Sequence, residues 1–154
     1  GCFMQSQLIE PIALISRCRI REQRRIQGLQ VAIHQTAQCQ SRLAVIQGRR
    51  CCTPAQPSQI RIINKKHPIT QGVPATFTIP ETEMYDEPFH VPTPDEVILD
   101  ETWKGGEYFR SGAIWSLGQG KVFYFRPGDQ QYAVYKVKPV LKIIENAAVW
   151  LGGE

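Results

Sequence analysis

The chain has 154 residues, of which 42% are hydrophobic and 21% are charged, and its formal net charge is +4. That length can bury the core of one domain, and the composition is typical of a globular protein rather than a disordered one. No apolar run approaches the roughly 18 residues needed to cross a bilayer, and no secretory leader is visible. We therefore expect a cytoplasmic protein with no membrane partner.

The first 60 residues differ in composition from the rest. Glu10 and Glu22 are the only acidic residues before Gln59, and apart from His34 every basic residue there is an arginine. All five cysteines lie in this part, whereas every tyrosine and tryptophan lies later. We therefore divide the chain into an Arg/Gln/Cys-rich segment, residues 1–60, and a second part, residues 61–154. A truncated gene, a fusion or a shifted reading frame would each account for the first segment.

The cysteines predict neither a disulfide framework nor a metal site. Their number is odd, Cys51 and Cys52 are adjacent, and no Cys-x-x-Cys spacing is present. Structural zinc sites use paired Cys-x-x-Cys or Cys/His spacings, and His34 with Cys39 is the nearest approach to one. We expect buried or incidental thiols and no bound metal.

The second part alternates between strand patterns and turn residues. Strands are predicted at 76–79 and 97–99, and the prolines within 74–94 exclude a long helix there. A Gly-Gln-Gly turn at 118–120 divides the apolar stretch 112–125. This pattern predicts a β-hairpin with a three-residue loop.

The last predicted element is a helix over Lys138–Leu151. Apolar residues recur there at helical spacing, and two glycines follow, as is common where a helix ends. Pro139 suits the first turn, where its missing N–H leaves no hydrogen bond unmade. We expect this helix to pack on the hairpin, with Ile144 and Trp150 buried in the contact.

Five short motifs of the second part occur in the same order in a known family. They include His-Pro-Ile-x-x-Gly, an acidic loop with Glu-Met-Tyr, two Arg-containing runs and a terminal Asn-Ala-x-x-Trp. Their positions are His67–Pro74, Glu81–Phe89, Gly105–Gly112, Gly120–Gly128 and Asn146–Trp150. Residues from about 62 to 151 therefore resemble the second half of a ThuA-like domain, from the trehalose-utilisation family. The first 60 residues show no such motif.

The resemblance implies a fold class and a field of function. The expected fold is α/β, a partial flavodoxin-like domain of the class I glutamine-amidotransferase type, with a mixed sheet and a C-terminal helix. The expected role lies in trehalose or disaccharide utilisation. Two features depart from the family. Asp129 and Gln130 follow the Pro-Gly turn where the family has a histidine, and the first segment lacks the family's alternating strands and helices.

Three separate segments of the second part supply the candidate ligand residues. Carboxylates and an aromatic ring in the acidic loop, with arginines that follow aromatic runs, have the chemistry to bind sugar hydroxyls. The predicted ligand-binding residues are Glu83, Tyr85, Arg110, Arg126, Asp129 and Tyr132. The alternatives are a solvated acidic loop, ion pairs between these acids and arginines, and tyrosines that only pack.

The sequence identifies no catalytic residue and no cofactor. Glutamine-amidotransferase chemistry needs a cysteine nucleophile on a strand–helix elbow, with a partner histidine and a carboxylate. Every cysteine lies before residue 53, and the second part contains only His67 and His90 as histidines. Whether the protein is an enzyme is therefore left open.

Three functions are compatible with these patterns. The first is a ThuA-like protein that binds a sugar-like small molecule and is inactive if its domain is incomplete. The second is a non-catalytic α/β binding or assembly module, whose exposed sheet edge would favour a homo-oligomer. The third is nucleic-acid binding through the arginines at 17–25. This third function is disfavoured because Phe3 is the only aromatic residue of the first segment.

Overall fold

A computed structural model describes residues 12–15, as backbone, together with residues 56–127 and 132–152. These residues form a six-stranded sheet and one long helix. Two short 3₁₀ helices lie at Pro68–Thr70 and Val134–Lys136. The strands and the helix are β1 Ile12–Ile15, β2 Gln56–Ile62, β3 Thr76–Thr82, β4 Glu96–Trp103, β5 Tyr108–Leu117, β6 Gly120–Phe125 and α1 Lys138–Gly152.

The predicted sheet with a C-terminal helix is confirmed, but the sheet of the described residues is antiparallel rather than mixed. The strand order is β1-β6-β5-β4-β2-β3, and each neighbouring pair is antiparallel. Parallel neighbours need a crossover of about a dozen residues or more, usually a helix. Here residues 104–107 join β4 to β5, residues 118–119 join β5 to β6, and α1 follows the last strand. These tight connections return the chain in the opposite direction, so the described strands do not build a flavodoxin-like parallel sheet.

The two faces of the sheet are covered by different kinds of structure. We call the face under α1 the helix face. Its apolar cluster includes Ile60, Ile98, Phe123, Phe125 and Ile143. We call the other the loop face, because the loop of residues 83–95 covers it. Its cluster is mainly aromatic and includes Phe89, Trp103, Phe109, Trp115 and Tyr124.

The predicted hairpin is confirmed with a shorter loop. β5 and β6 pair antiparallel and end with Leu117 opposite Gly120. The loop therefore contains two residues, Gly118 and Gln119, instead of three. Gly118 has a φ of +65°, the left-handed conformation that two-residue hairpin turns require and that glycine adopts without strain.

The predicted terminal helix is also confirmed. Its fully covered side chains recur at helical spacing and are Val140, Ile143, Ala147 and Leu151. Ile144 and Trp150 pack against the helix-face cluster but are half-buried, not buried as predicted. The Trp150 ring lies 4.4 Å from the Lys121 ammonium and 4.9 Å from the His67 ring. Trp150 thus joins the helix to the hairpin from the rim of the contact.

β2 spans the predicted boundary at residue 60 and lies between β3 and β4. Ile60 is fully buried in the helix-face cluster. The backbone of Ile12–Ile15 pairs with β6 at the other side of the sheet. The first segment was predicted to stand apart from the second part. Its remaining residues, 1–11 and 16–55, lie outside the described residues. The division into two parts stays a prediction.

Candidate functional site

Aromatic rings fasten the acidic loop to the sheet. Phe89 is 4% exposed, and its ring centroid lies 5.0 Å from that of Phe109 and 5.1 Å from that of Tyr124. The Tyr85 ring lies 5.4 Å from that of Phe109. Tilted aromatic pairs at such distances stabilise by about 0.5–1.5 kcal/mol each beyond the area they bury. The rings therefore contribute to holding the acidic loop on the sheet.

Arg126 follows β6 and is 2% exposed. Its Nε and Nη2 donate to the two carboxylate oxygens of the fully buried Glu101, at 2.7 and 2.5 Å. Its Nη1 donates to the Thr82 hydroxyl at 3.0 Å and to the Glu83 carbonyl at 3.2 Å. A guanidinium paired in this two-pronged way has a fixed plane as well as a fixed position. Arg126 thus joins β4 to the end of β3.

Two aromatic rings lie against this guanidinium. Its Cζ is 5.3 Å from the Tyr85 ring centroid and 5.5 Å from the Trp103 ring centroid, within the range of cation–π attraction. Burial raises the pKa of the Glu101 carboxyl, and the charge of Arg126 acts in the opposite direction. The carboxylate form of Glu101 therefore depends on its partner arginine.

Arg110 is paired with Glu87 of the acidic loop. Its Nε and Nη2 donate to the two carboxylate oxygens at 2.7 and 3.2 Å, and Nη2 also donates to the Phe89 carbonyl at 3.0 Å. Burial raises the pKa of Glu87, but hydrogen bonds from Arg110 and from the Phe89 N–H outweigh it, so the pKa is lowered. For this arginine the structure shows the ion pair that the sequence left as an alternative. The pair attaches the loop to β5.

Glu83 and Tyr85 are both partly exposed, as are Arg110 and Tyr132 of the predicted site. The Tyr85 hydroxyl donates to the Glu83 carboxylate at 3.2 Å. From the buried side, Arg126 contacts both the Glu83 carbonyl and the Tyr85 ring. The structure thus brings Glu83, Tyr85 and Arg126 together. A carboxylate beside an accessible phenol ring presents hydrogen-bond acceptors next to a flat apolar surface.

The two remaining predicted residues are not part of this group as described. Tyr132 is half-buried and packs on the helix-face cluster, whereas Tyr85 packs on the loop-face cluster. Asp129 lies outside the described residues. Both remain predictions as ligand residues.

Glu101 is the residue of this site that the sequence analysis missed. It lies beside Asp100 in an otherwise mainly apolar strand, and both carboxylates are buried. A charged side chain at a buried strand position needs a partner of opposite charge. Two adjacent carboxylates in a predicted strand were therefore the sequence feature that could have indicated a buried ion pair. The structure supplies one partner each, because Asp100 pairs with Arg61 and Glu101 with Arg126.

Some buried polar atoms of the loop face lack a hydrogen-bond partner. Among the described residues these include the Tyr124 hydroxyl and the Trp103 indole N–H. Burial raises the pKa of Tyr124 well above its ordinary value, so its hydroxyl keeps its proton at neutral pH. Buried polar groups are usually satisfied, and their concentration beside Arg126 sets this face apart.

Two other features bear on ligands. A surface pocket of about 420 Å³ lies at the start of α1, between Gly72, Pro74, Lys138 and Lys142, and none of the predicted ligand residues lines it. Within residues 56–127 and 132–152, no group of three or more His, Cys, Asp or Glu residues is arranged to hold a metal ion.

In the same part of the chain no helix is long and apolar enough to cross a membrane. A cytoplasmic location stays a prediction.

Comparison with known proteins places these observations in a family. The model of the ThuA family, described as trehalose utilisation, matches residues 23–151. This match contains all five motifs and begins upstream of residue 62, so the similarity is longer than the motifs alone indicated. No curated protein matches the chain. Because the family model covers most of the sequence, the chain belongs to the ThuA family of trehalose utilisation.

Proposed function

We propose that the chain binds a neutral, polyhydroxylated small molecule, of the size and chemistry of a disaccharide, at Glu83 and Tyr85. The observation that carries this proposal is the partly exposed Glu83–Tyr85 pair, supported from the buried side by Arg126. The tyrosine ring provides a face on which a sugar ring can stack, and the carboxylate accepts hydrogen bonds from hydroxyl groups. Membership of the trehalose-utilisation family supports the same ligand class.

The charges favour a neutral ligand over a phosphorylated one. Arg110 and Arg126 each donate two N–H groups to a carboxylate. The positive charge of each guanidinium is therefore balanced by its carboxylate partner and does not attract an anionic ligand strongly. Glu81, near the end of β3, and Asp86, on the loop, are exposed and lie within three residues of Glu83 in the sequence. A phosphate group would meet these carboxylates, and like charges at short range repel.

One further part of this reading rests on the family resemblance. It is a relation of the whole family domain to the class I glutamine-amidotransferase fold, which the antiparallel sheet of the described residues does not carry. A cytoplasmic location rests instead on the sequence, in which no apolar run approaches the length needed to cross a bilayer. The described site supplies a binding surface but no assigned nucleophile, so we propose ligand binding and assign no reaction.

The assembly-module alternative has less support from the described sheet. β3 lies at one edge of the sheet and contains Pro80 and Glu81. A proline removes a backbone donor and a charge resists burial, so both features hinder the addition of another strand at this edge. The nucleic-acid alternative concerns arginines at 17–25, which lie outside the described residues.

Calorimetric titration tests the proposal. Trehalose, sucrose and their oxidised forms are titrated into the wild type, Tyr85→Ala and Glu83→Gln, with trehalose phosphate as the anionic competitor. We expect a neutral sugar to bind the wild type and both substitutions to weaken binding at least tenfold. Glu81→Gln, at an exposed position of β3 two residues before Glu83, serves as the matched control and should bind neutral sugars as the wild type does. Absence of heat with every neutral sugar would overturn the proposal.

A further inference from the structure

One guanidinium holds the start of the acidic loop at three points. Arg126 donates to the Thr82 hydroxyl and to the Glu83 carbonyl, and its Cζ lies 5.3 Å from the centroid of the Tyr85 ring. Thr82 is the last residue of β3 and is 1% exposed, so the first contact lies at the point where the chain leaves the sheet. The path of the backbone through Glu83 and the tilt of the Tyr85 ring are therefore both tied to the plane of this guanidinium.

That plane is determined by a residue that does not reach the surface. Glu101 accepts two hydrogen bonds from Arg126, is fully buried, and lies on β4, which is paired with β2 and β5 on its two sides. A carboxylate on a central strand has little freedom to move. Because both prongs of the fork are engaged, the third nitrogen, Nη1, is left pointing at Thr82 and Glu83.

The second clamp of the loop is separate. Glu87 and Arg110 fix the region of Phe89, through the guanidinium contact to its carbonyl and the hydrogen bond that its N–H donates. The stretch that carries the proposed ligand groups lies between this clamp and Arg126. Loss of the Arg126 contacts would free the Glu83 carbonyl and leave the Tyr85 ring held only by its packing on Phe109 and neighbouring residues, while Phe89 stays attached.

From this geometry we infer that Glu101 is a positioning residue of the ligand site, acting through Arg126 to hold Glu83 and Tyr85 in their binding arrangement. The inference rests on the proposed function for its ligand. Substitution of Glu101 together with Arg126 should therefore lower the affinity for the ligand more than it lowers the stability of the fold. If Glu101 served stability alone, the affinity would fall no more than in another variant of equal stability.

The test is the double variant Glu101→Leu/Arg126→Met. Replacing a buried ion pair by apolar residues of similar volume is often neutral or stabilising, so this variant separates positioning from folding. Melting temperature, hydrogen exchange of the amides at 83–86 and the affinity for trehalose are measured on the double variant and on Ile143→Ala. The latter lowers stability on the helix face and controls for destabilisation alone. If the double variant does not fold, Glu101→Gln, which keeps the side-chain shape, is measured in its place.

The expected result is a folded variant whose loop amides exchange at least tenfold faster than in the wild type. Its affinity for trehalose should fall at least tenfold, whereas Ile143→Ala keeps wild-type exchange at 83–86 and wild-type affinity. A folded variant with wild-type loop exchange and affinity would overturn the inference, as would an equal loss of affinity in Ile143→Ala. If the wild type itself binds no sugar, the proposed function fails. The exchange measurement then still decides whether Glu101 positions the loop.

Discussion

The polar contacts of the family motifs differ between the helix face and the loop face, although the strand of the fourth motif packs on both. On the helix face the first and last motifs meet, because Asn146 donates to the carbonyls of Ile69 and Gln71 at 3.0 and 2.8 Å. The His67 and Trp150 rings of the same two motifs lie 4.9 Å apart. On the loop face the second motif meets the third through Glu87 and Arg110, and the fourth through Glu83 and Arg126. One set of motifs therefore joins a helix to the sheet, and the other shapes a surface with ligand-binding chemistry.

The two faces are also held by different forces. The helix face depends mainly on apolar burial, and Ile143 and Ala147 are completely covered. Its pH-sensitive member is His67, whose pKa is lowered by burial. The loop face depends on two arginine–carboxylate pairs and on rings packed beside them. Mutations and pH should therefore affect the two faces differently.

The largest expected effect comes from removing one partner of the buried pair. Arg126→Ala would leave Glu101 buried without its cation, and such uncompensated charges cost about 3–5 kcal/mol. Urea unfolding of the variant should show this loss or a failure to fold. The control is Lys142→Ala, whose ammonium lies 3.6 Å from the Glu145 carboxylate in a pair with both side chains largely exposed, 48% and 68%, and should matter much less. Equal losses in the two variants would show that burial does not distinguish these pairs.

Removing apolar contacts from the helix face should have a slightly smaller effect. Ile143 is fully buried, and truncating such a side chain to alanine costs about 2–5 kcal/mol through lost transfer energy and the cavity left behind. Leu141, 42% exposed on the same helix, provides the comparison and should lose far less on truncation. If Leu141→Ala is as costly as Ile143→Ala, α1 does not pack on the sheet by the face described.

A third substitution tests the packing within the sheet between these faces. A Cβ added at Gly112 would lie 2.7 Å from Leu99 Cγ and 2.8 Å from Leu99 Cβ, so Leu99 or the strand would have to move. Overpacking of this kind costs about 1–3 kcal/mol. Gly112→Ala should lower the melting temperature, whereas Gly152→Ala, where a Cβ meets nothing within 4 Å, should not. An unchanged melting temperature for Gly112→Ala would mean that β4 and β5 are less closely packed than described.

The sequence predicted local elements better than the way in which they assemble. Periodicity located α1 and the hairpin because each depends on neighbours in the chain. The antiparallel order was not predictable in the same way, since the resemblance implied a sheet that the described strands do not build. Glu83, Tyr85 and Arg126 lie together in the structure, and their role as ligand residues stays a prediction. Glu101 was missed because its partner lies 25 residues away in sequence. Spacing along the chain does not reveal pairs of that kind.

The smallest expected effect is a pH dependence of the free energy of unfolding that comes from Glu87 on the loop face. The pKa of Glu87 is lowered in the folded protein, below the ordinary value of 4.5. The folded state therefore binds fewer protons than the unfolded state in this range, so the carboxylate contributes stability above pH 4.5 that is lost as the pH falls through the folded pKa. Both partners are about a quarter exposed, so solvent and salt weaken the contribution. The measurement is the free energy of unfolding of the wild type and of Glu87→Gln between pH 7 and about pH 3.

The difference between these two proteins isolates Glu87, because Glu101, whose raised pKa acts in the opposite sense, is present in both. We expect the difference to be constant near neutral pH and to shrink as the pH falls below 4.5. For Ile143→Ala, a change in apolar packing alone, the difference from the wild type should stay level over the same range. A level difference for Glu87→Gln would mean that its bond to Arg110 contributes no net stability, and attachment of the loop would then depend on Phe89 and Arg126. A pH-dependent difference for Ile143→Ala would instead show that the two faces are coupled through the sheet.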